Sequence, residues 1–206
     1  MDEKHNQELV EIKQDIIKNK DQIVPAKSLD QRNIPTPPTC DYFKEFKVVR
    51  GTEESFKIFQ DFAQGKTEKY MLLCYGTTGS GKTHLMLALS QSLNCNYYTW
   101  HDVIRMLKRK MSDKTPPFYD MILDNYCRAQ KLILDDIGMG TMDSQWENSV
   151  LEEIIDERYR NRLFTAATTN KDIKTLPERV VSRFRDAATS VIVVNRGVDY
   201  RPLKGK

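Results

Sequence analysis

The strongest constraint on this chain is a glycine-rich run, Gly76-Thr77-Thr78-Gly79-Ser80-Gly81-Lys82-Thr83, set between an apolar segment and an amphipathic one. It fits G-x-x-x-x-G-K-[ST] in the context that motif requires: a buried strand before it, Tyr70 to Tyr75, and a helix after it, Thr83 to Leu93. Glycines let the loop turn its backbone N–H groups inward on phosphates, and the helix N-terminus adds the positive end of its dipole to that nest. By this chemistry Gly76 to Thr83, with His84 following, bind ATP or ADP. Lys82 neutralises charge on the β- and γ-phosphates and so acts in catalysis as well, and the Thr83 hydroxyl is a ligand for Mg²⁺.

A loop of this kind needs a parallel sheet behind it. Apolar β-type runs at Tyr70 to Tyr75, Asn96 to Trp100, Leu132 to Asp135, Phe164 to Thr169 and Thr189 to Val194 alternate with helical patterns. That alternation predicts βαβ units and an α/β fold with five strands. The stripe Leu85, Met86, Leu89, Leu93 and the stripe Trp146, Val150, Leu151, Ile154, Ile155, Tyr159 read as the core-facing sides of two covering helices.

The run Leu132 to Asp135 ends in paired carboxylates, Asp135-Asp136. After a phosphate-binding loop, Asp135 is the metal ligand, holding Mg²⁺ directly or through water, and Asp136 polarises the attacking water. Standing alone, the pair would suit a solvated turn equally well. The next run ends at Asn170, whose amide can position that water, or cap the helix that follows, or do both. Beyond it, Arg179 and Arg183 stand four residues apart on one side of a predicted helix. One of them can reach a neighbour's phosphates as an arginine finger, with a plain solvated basic face as the alternative.

At 206 residues, 39% hydrophobic and 30% charged, the chain has room for one compact domain of about 150 residues and an arm. The arm is residues 1–42: an amphipathic helix carrying Leu9, Ile12, Ile16 and Ile17, then a linker with Pro25, Pro35, Pro37 and Pro38. The ATPase domain is expected over residues 43–206. No apolar stretch approaches the roughly 20 residues of a bilayer span, and the acidic start lacks the order of a secretory signal, so a cytoplasmic protein is expected. Cys40, Cys74, Cys95 and Cys127 form no C-x-x-C, which argues for reduced thiols used as small hydrophobes. A net charge of +3 does not by itself argue for nucleic acid, but the charge is uneven. Arg105, Lys108, Arg109 and Lys110 cluster, and basic residues dominate after Lys174. Such side chains can track a phosphate backbone, with Phe118 or Tyr119 as stacking surfaces, or can simply form a solvated face.

Taken together, Gly76 to Thr83, Leu132 to Gly138, Thr168 to Asn170, Ser182-Arg183-Phe184 and Asp199-Tyr200-Arg201 resemble AAA+ ATPases of the DnaC/DnaI helicase-loader and IstB type. The resemblance implies a three-layer P-loop fold with a five-stranded parallel sheet of order 5-1-4-3-2 and no obvious C-terminal lid. It also implies sensor 1 at Asn170, the arginine finger at Arg183 and a sensor 2-like, nucleotide-binding Arg201. Self-association with ATP between subunits, a replicative helicase and single-stranded DNA follow as expected partners, with a transposition helper ATPase as the nearest relative reading. Two departures bear on mechanism. Asp136 stands where many AAA+ proteins carry Glu, which predicts slow hydrolysis or a non-hydrolysing ATP switch, and the short arm shows no set of zinc ligands. A nucleotide or small-molecule kinase also suits this length, but it would use a mobile arginine-bearing lid and has no need of Asn170.

Overall fold

The computed structural model describes residues 41–112, 118–138 and 144–199, with the side chains of Lys110, Ser112, Phe118 and Ser144 left aside. Residues 1–40 of the predicted arm, Cys40 among them, and Arg201 lie outside them. The compact unit that begins at Cys40 carries a five-stranded sheet in the order β2-β3-β4-β1-β5, the expected 5-1-4-3-2 read from the other edge. All neighbouring strands are parallel: β1 (Met71–Gly76), β2 (Asn96–Thr99), β3 (Lys131–Asp135), β4 (Phe164–Thr169) and β5 (Ser190–Asn195). Parallel pairing needs helical crossovers, and these cover both faces.

Period-two alternation sorts the strand side chains between the faces. Leu72, Cys74, Ile133, Ala166 and Val193 pack beneath α2 (Glu53–Ala63) and α3 (Lys82–Leu93), which contribute Phe59, Phe62, Leu85, Met86 and Leu89. Met71, Leu73, Leu132, Leu134 and Ala167 face α4 (Trp100–Ser112), α5 (Phe118–Arg128), α6 (Ser144–Arg160) and α7 (Glu178–Arg185). Both tryptophans belong to this second layer, Trp100 buried in it and Trp146 against its edge. A four-residue helix, α1 (Tyr42–Glu45), starts at the last residue of the predicted linker. Among the described residues no helical lid follows β5, and no helix is long and apolar enough to cross a membrane.

One boundary differs from expectation. The apolar run read as a strand through Trp100 turns helical at that residue. Thr99 forces the turn: its hydroxyl accepts from the Asp102 N–H at 3.2 Å and donates to Asp102 Oδ2 at 2.7 Å, a reciprocal cap that starts α4 before the strand can extend.

α5 ends on a buried arginine from α6. Arg158 is fully buried and donates to the carbonyls of Tyr126 (2.8 Å), Ala129 (2.7 Å) and Phe164 (2.6 Å) and to Thr165 Oγ1 (2.9 Å). These include last-turn carbonyls of α5 that the helix itself cannot satisfy. Burial among neutral acceptors pulls the guanidinium down to about 10.

Candidate nucleotide site

β1 ends in Gly76, and the chain crosses the carboxyl edge of the sheet as residues 77–81 before α3 begins at Lys82. Gly81 has φ 95°, and a Cβ there would stand 2.9 Å from the Phe46 ring, so a larger residue would both strain the loop and displace its aromatic wall. Lys82 is 5% exposed; its ammonium lies under the loop and donates to the carbonyls of Gly76 and Thr77, each at 2.8 Å. Thr83 is exposed at the first turn of α3. The segment after β5 returns across the loop. Asn195 donates to the Ser80 carbonyl at 3.1 Å, Thr77 Oγ1 donates to the Gly197 carbonyl at 3.1 Å, and the Asp199 carboxylate stands against Gly79.

Asp135 ends β3 on the same face as Ile133, which is the α3 side, and it is 3% exposed. Hydroxyls from the strands on either side hold both of its oxygens: Tyr97 of β2 donates to Oδ2 at 2.7 Å, and Thr168 of β4 donates to Oδ1. Thr168 also accepts the Asp136 N–H at 2.8 Å, so one hydroxyl ties the two aspartates together. Asp136 leaves the strand with φ 65°, a left-handed conformation Asp tolerates better than most residues, and its Oδ1 accepts from the Asn170 amide. The sequence-predicted Asp135, Asp136 and Asn170 are therefore one hydrogen-bonded cluster. An ionised carboxylate and a free hydroxyl such as that of Thr83 are hard oxygen donors, the class that suits Mg²⁺.

The sequence profile described as IstB-like ATP binding protein matches residues 45–196, most of the chain, with the phosphate loop, both aspartates and Asn170 inside it. The chain belongs to the IstB-like ATP binding protein family. This IstB-like chain is 28% identical over 119 residues to the replicative helicase loader DnaC of Buchnera aphidicola subsp. Baizongia pistaciae, covering 53% of this chain and 48% of that protein. It is likewise 28% identical over 158 residues to the chromosomal replication initiator protein DnaA of Helicobacter hepaticus, covering 73% of this chain and 34% of that one. It thus spans half or less of the length of both curated relatives. Among solved structures, that of the DnaC helicase loader superposes with a TM-score of 0.63 at 22% identity, over 76% of this chain and 96% of that one, a shared AAA+ fold.

The other expected site residues of the IstB-like domain are more dispersed. His84 is half-buried on α3, where Nε2 is 2.7 Å from the Tyr42 carbonyl and the ring meets those of Tyr42 and Phe46 edge-on. Arg183 lies along α6: Nε and Nη2 both contact Asp156 Oδ1, at 2.8 and 2.7 Å, and the guanidinium lies 4.8 Å from the Tyr159 ring centre. Arg179 and Arg185 are exposed on α7, the helix that carries Arg183. Tyr97 and the bridging role of Thr168 had no signal along the sequence, because both act across strands that are neighbours only in the folded sheet. Phe46, wedged beside Gly81, likewise precedes the recognisable motif.

Proposed function

We propose that this IstB-like protein is an ATP-hydrolysing loader of DNA replication that assembles with ATP between subunits and acts on a replicative helicase and single-stranded DNA. The observation that carries the reading is the convergence at one sheet edge of the loop leaving β1, the aspartates leaving β3 and the amide leaving β4. The 28% identity to a replicative helicase loader supports the choice of partner.

In this reading the N–H groups of residues 76–83 bind the phosphates and Lys82 exchanges its loop carbonyls for phosphate oxygens. Thr83 and Asp135 hold Mg²⁺, which when bound supplies charge neutralisation at the phosphate oxygens. Asp136 accepts the proton of the attacking water and Asn170 fixes the carboxylate that does so. Aspartate reaches less far than glutamate, so turnover is slow. Arg183 completes a neighbour's site, leaving Asp156 as subunits meet.

The test is ATP turnover per protomer against protein concentration, with single-stranded DNA present and Arg183→Ala chains mixed in. Specific activity that climbs with concentration and is poisoned by Arg183→Ala is the expected result. Turnover that stays flat and ignores Arg183 would exclude a site shared between subunits. Capture of a replicative helicase rather than a transposase separates the loader from the transposition helper.

A further inference from the structure

We propose that Tyr97 is a positioning residue for the magnesium-side carboxylate, fixing Asp135 so that it presents its free lone pairs to the metal; this rests on the reading of Asp135 as the Mg²⁺ ligand. Tyr97 registers with Ile133, not with Asp135, which lies two residues further along β3 on the same face. Two residues of parallel strand rise about 6.6 Å, a distance a tyrosine spans with its hydroxyl and a shorter donor does not. The phenol oxygen arrives 2.7 Å from Oδ2.

An ionised carboxylate offers about four lone pairs, and here one on each oxygen is already engaged, by Tyr97 from one side and Thr168 from the other. Rotation of the carboxylate would break both bonds. Its plane is therefore set before any metal arrives, and ordering on binding is small. Packing alone asks less of this position. The Tyr97 ring lies against the α3-side core, where phenylalanine would serve as well, so the hydroxyl answers to Asp135. Tyr97 also lies shortly before Trp100, where α4 begins, so the carboxylate is anchored to the strand that carries the basic α4–α5 segment.

Tyr97→Phe removes one oxygen atom and keeps the ring. The probe is Mn²⁺, followed by its EPR signal, titrated into the full chain saturated with ADP; ADP affinity in EDTA serves as a check on the fold and the phosphate loop. Tyr97→Phe should weaken Mn²⁺ binding about tenfold, as loss of a partner behind a metal ligand typically does, and leave metal-free ADP affinity unchanged. In an Asp135→Asn background the same change should have no further effect on Mn²⁺. If Asp135→Asn weakens Mn²⁺ while Tyr97→Phe stays within about twofold of the parent, the positioning role is wrong and the metal site stands. If Asp135→Asn leaves Mn²⁺ untouched, both fall.

Discussion

Two arginines tie α6 to its neighbours by opposite means. Arg158 is fully buried and bound to neutral acceptors, among them the terminal carbonyls of α5, while Arg183 reaches α6 from α7, a third exposed, and binds a carboxylate and an aromatic face. Withdrawing Arg158 would take from several carbonyls the donor they share, a cost that grows with each one left buried and unpaired. Withdrawing Arg183 leaves Asp156 still paired, because Arg160 lies 3.3 Å from its other oxygen. The first arginine is part of the framework, and the second can leave its partner at little cost. Charge alone does not distinguish them; the partners do.

The widest separation between the two should appear in thermal or denaturant unfolding. Arg158→Leu should cost about 3 to 5 kcal/mol, because it removes the cap of α5 and strands buried acceptors. Arg183→Ala should cost only about 1 kcal/mol, the range of a half-exposed pair with a ring contact. Equal losses would end the distinction. Turnover should reverse the ranking: Arg183→Ala, folded, should lose on the order of a hundredfold or more in assembly-dependent ATP hydrolysis. Asp156→Asn then sharpens the point, since a finger no longer held in cis should let turnover reach half its maximum at about two- to fivefold lower protein concentration.

A smaller effect reaches the ring beneath Arg183. Tyr159 donates to Asp186 at 2.6 Å, and that bond, with the Ala188 N–H and Thr189, holds the Asp186 carboxyl below its ordinary range. A carboxyl depressed in the folded state adds stability above the unfolded pKa of about 4, and that stability is lost as pH falls through the folded value. Unfolding midpoints measured on acidification through that window should therefore fall more in the parent than in Asp186→Asn. The slightest change concerns the thiols, one of which, Cys127, offers its carbonyl to Arg158 at 3.4 Å. Burial pushes Cys74 and Cys127 up to about 12 and Cys95 to about 11, so iodoacetamide at pH 8 should leave these three unmodified in the native chain and label them once Arg158→Leu loosens the fold.

Much of the frame was legible because it rests on local patterns. The phosphate loop announces itself through glycines that a strand-to-helix turn demands, and the β3 run ends in its aspartates within a single stretch of chain. The strand order followed from the resemblance. What could not be read were contacts between strands. Nothing near Tyr97 hints at Asp135, and nothing near Thr168 says that its hydroxyl joins two carboxylates. Arg158 stands in a stretch, Asp156-Glu157-Arg158-Tyr159-Arg160, whose charged residues all look solvated, and only the sheet behind α6 makes one of its arginines internal. Trp100 misled as a strand residue because apolar character continues across the Thr99 cap.

The placement of the tryptophans has a practical consequence for spectroscopy. Both belong to the layer formed by α4 to α7, across the sheet from the helix that follows the phosphate loop. Indole emission responds to its immediate surroundings, so the intrinsic fluorescence of this protein is a built-in gauge of the α4–α7 face and is nearly blind to the loop itself. A change in emission when nucleotide is added would mean that the disturbance has passed from one face of the sheet to the other, and its wavelength and amplitude would measure how much of it arrived.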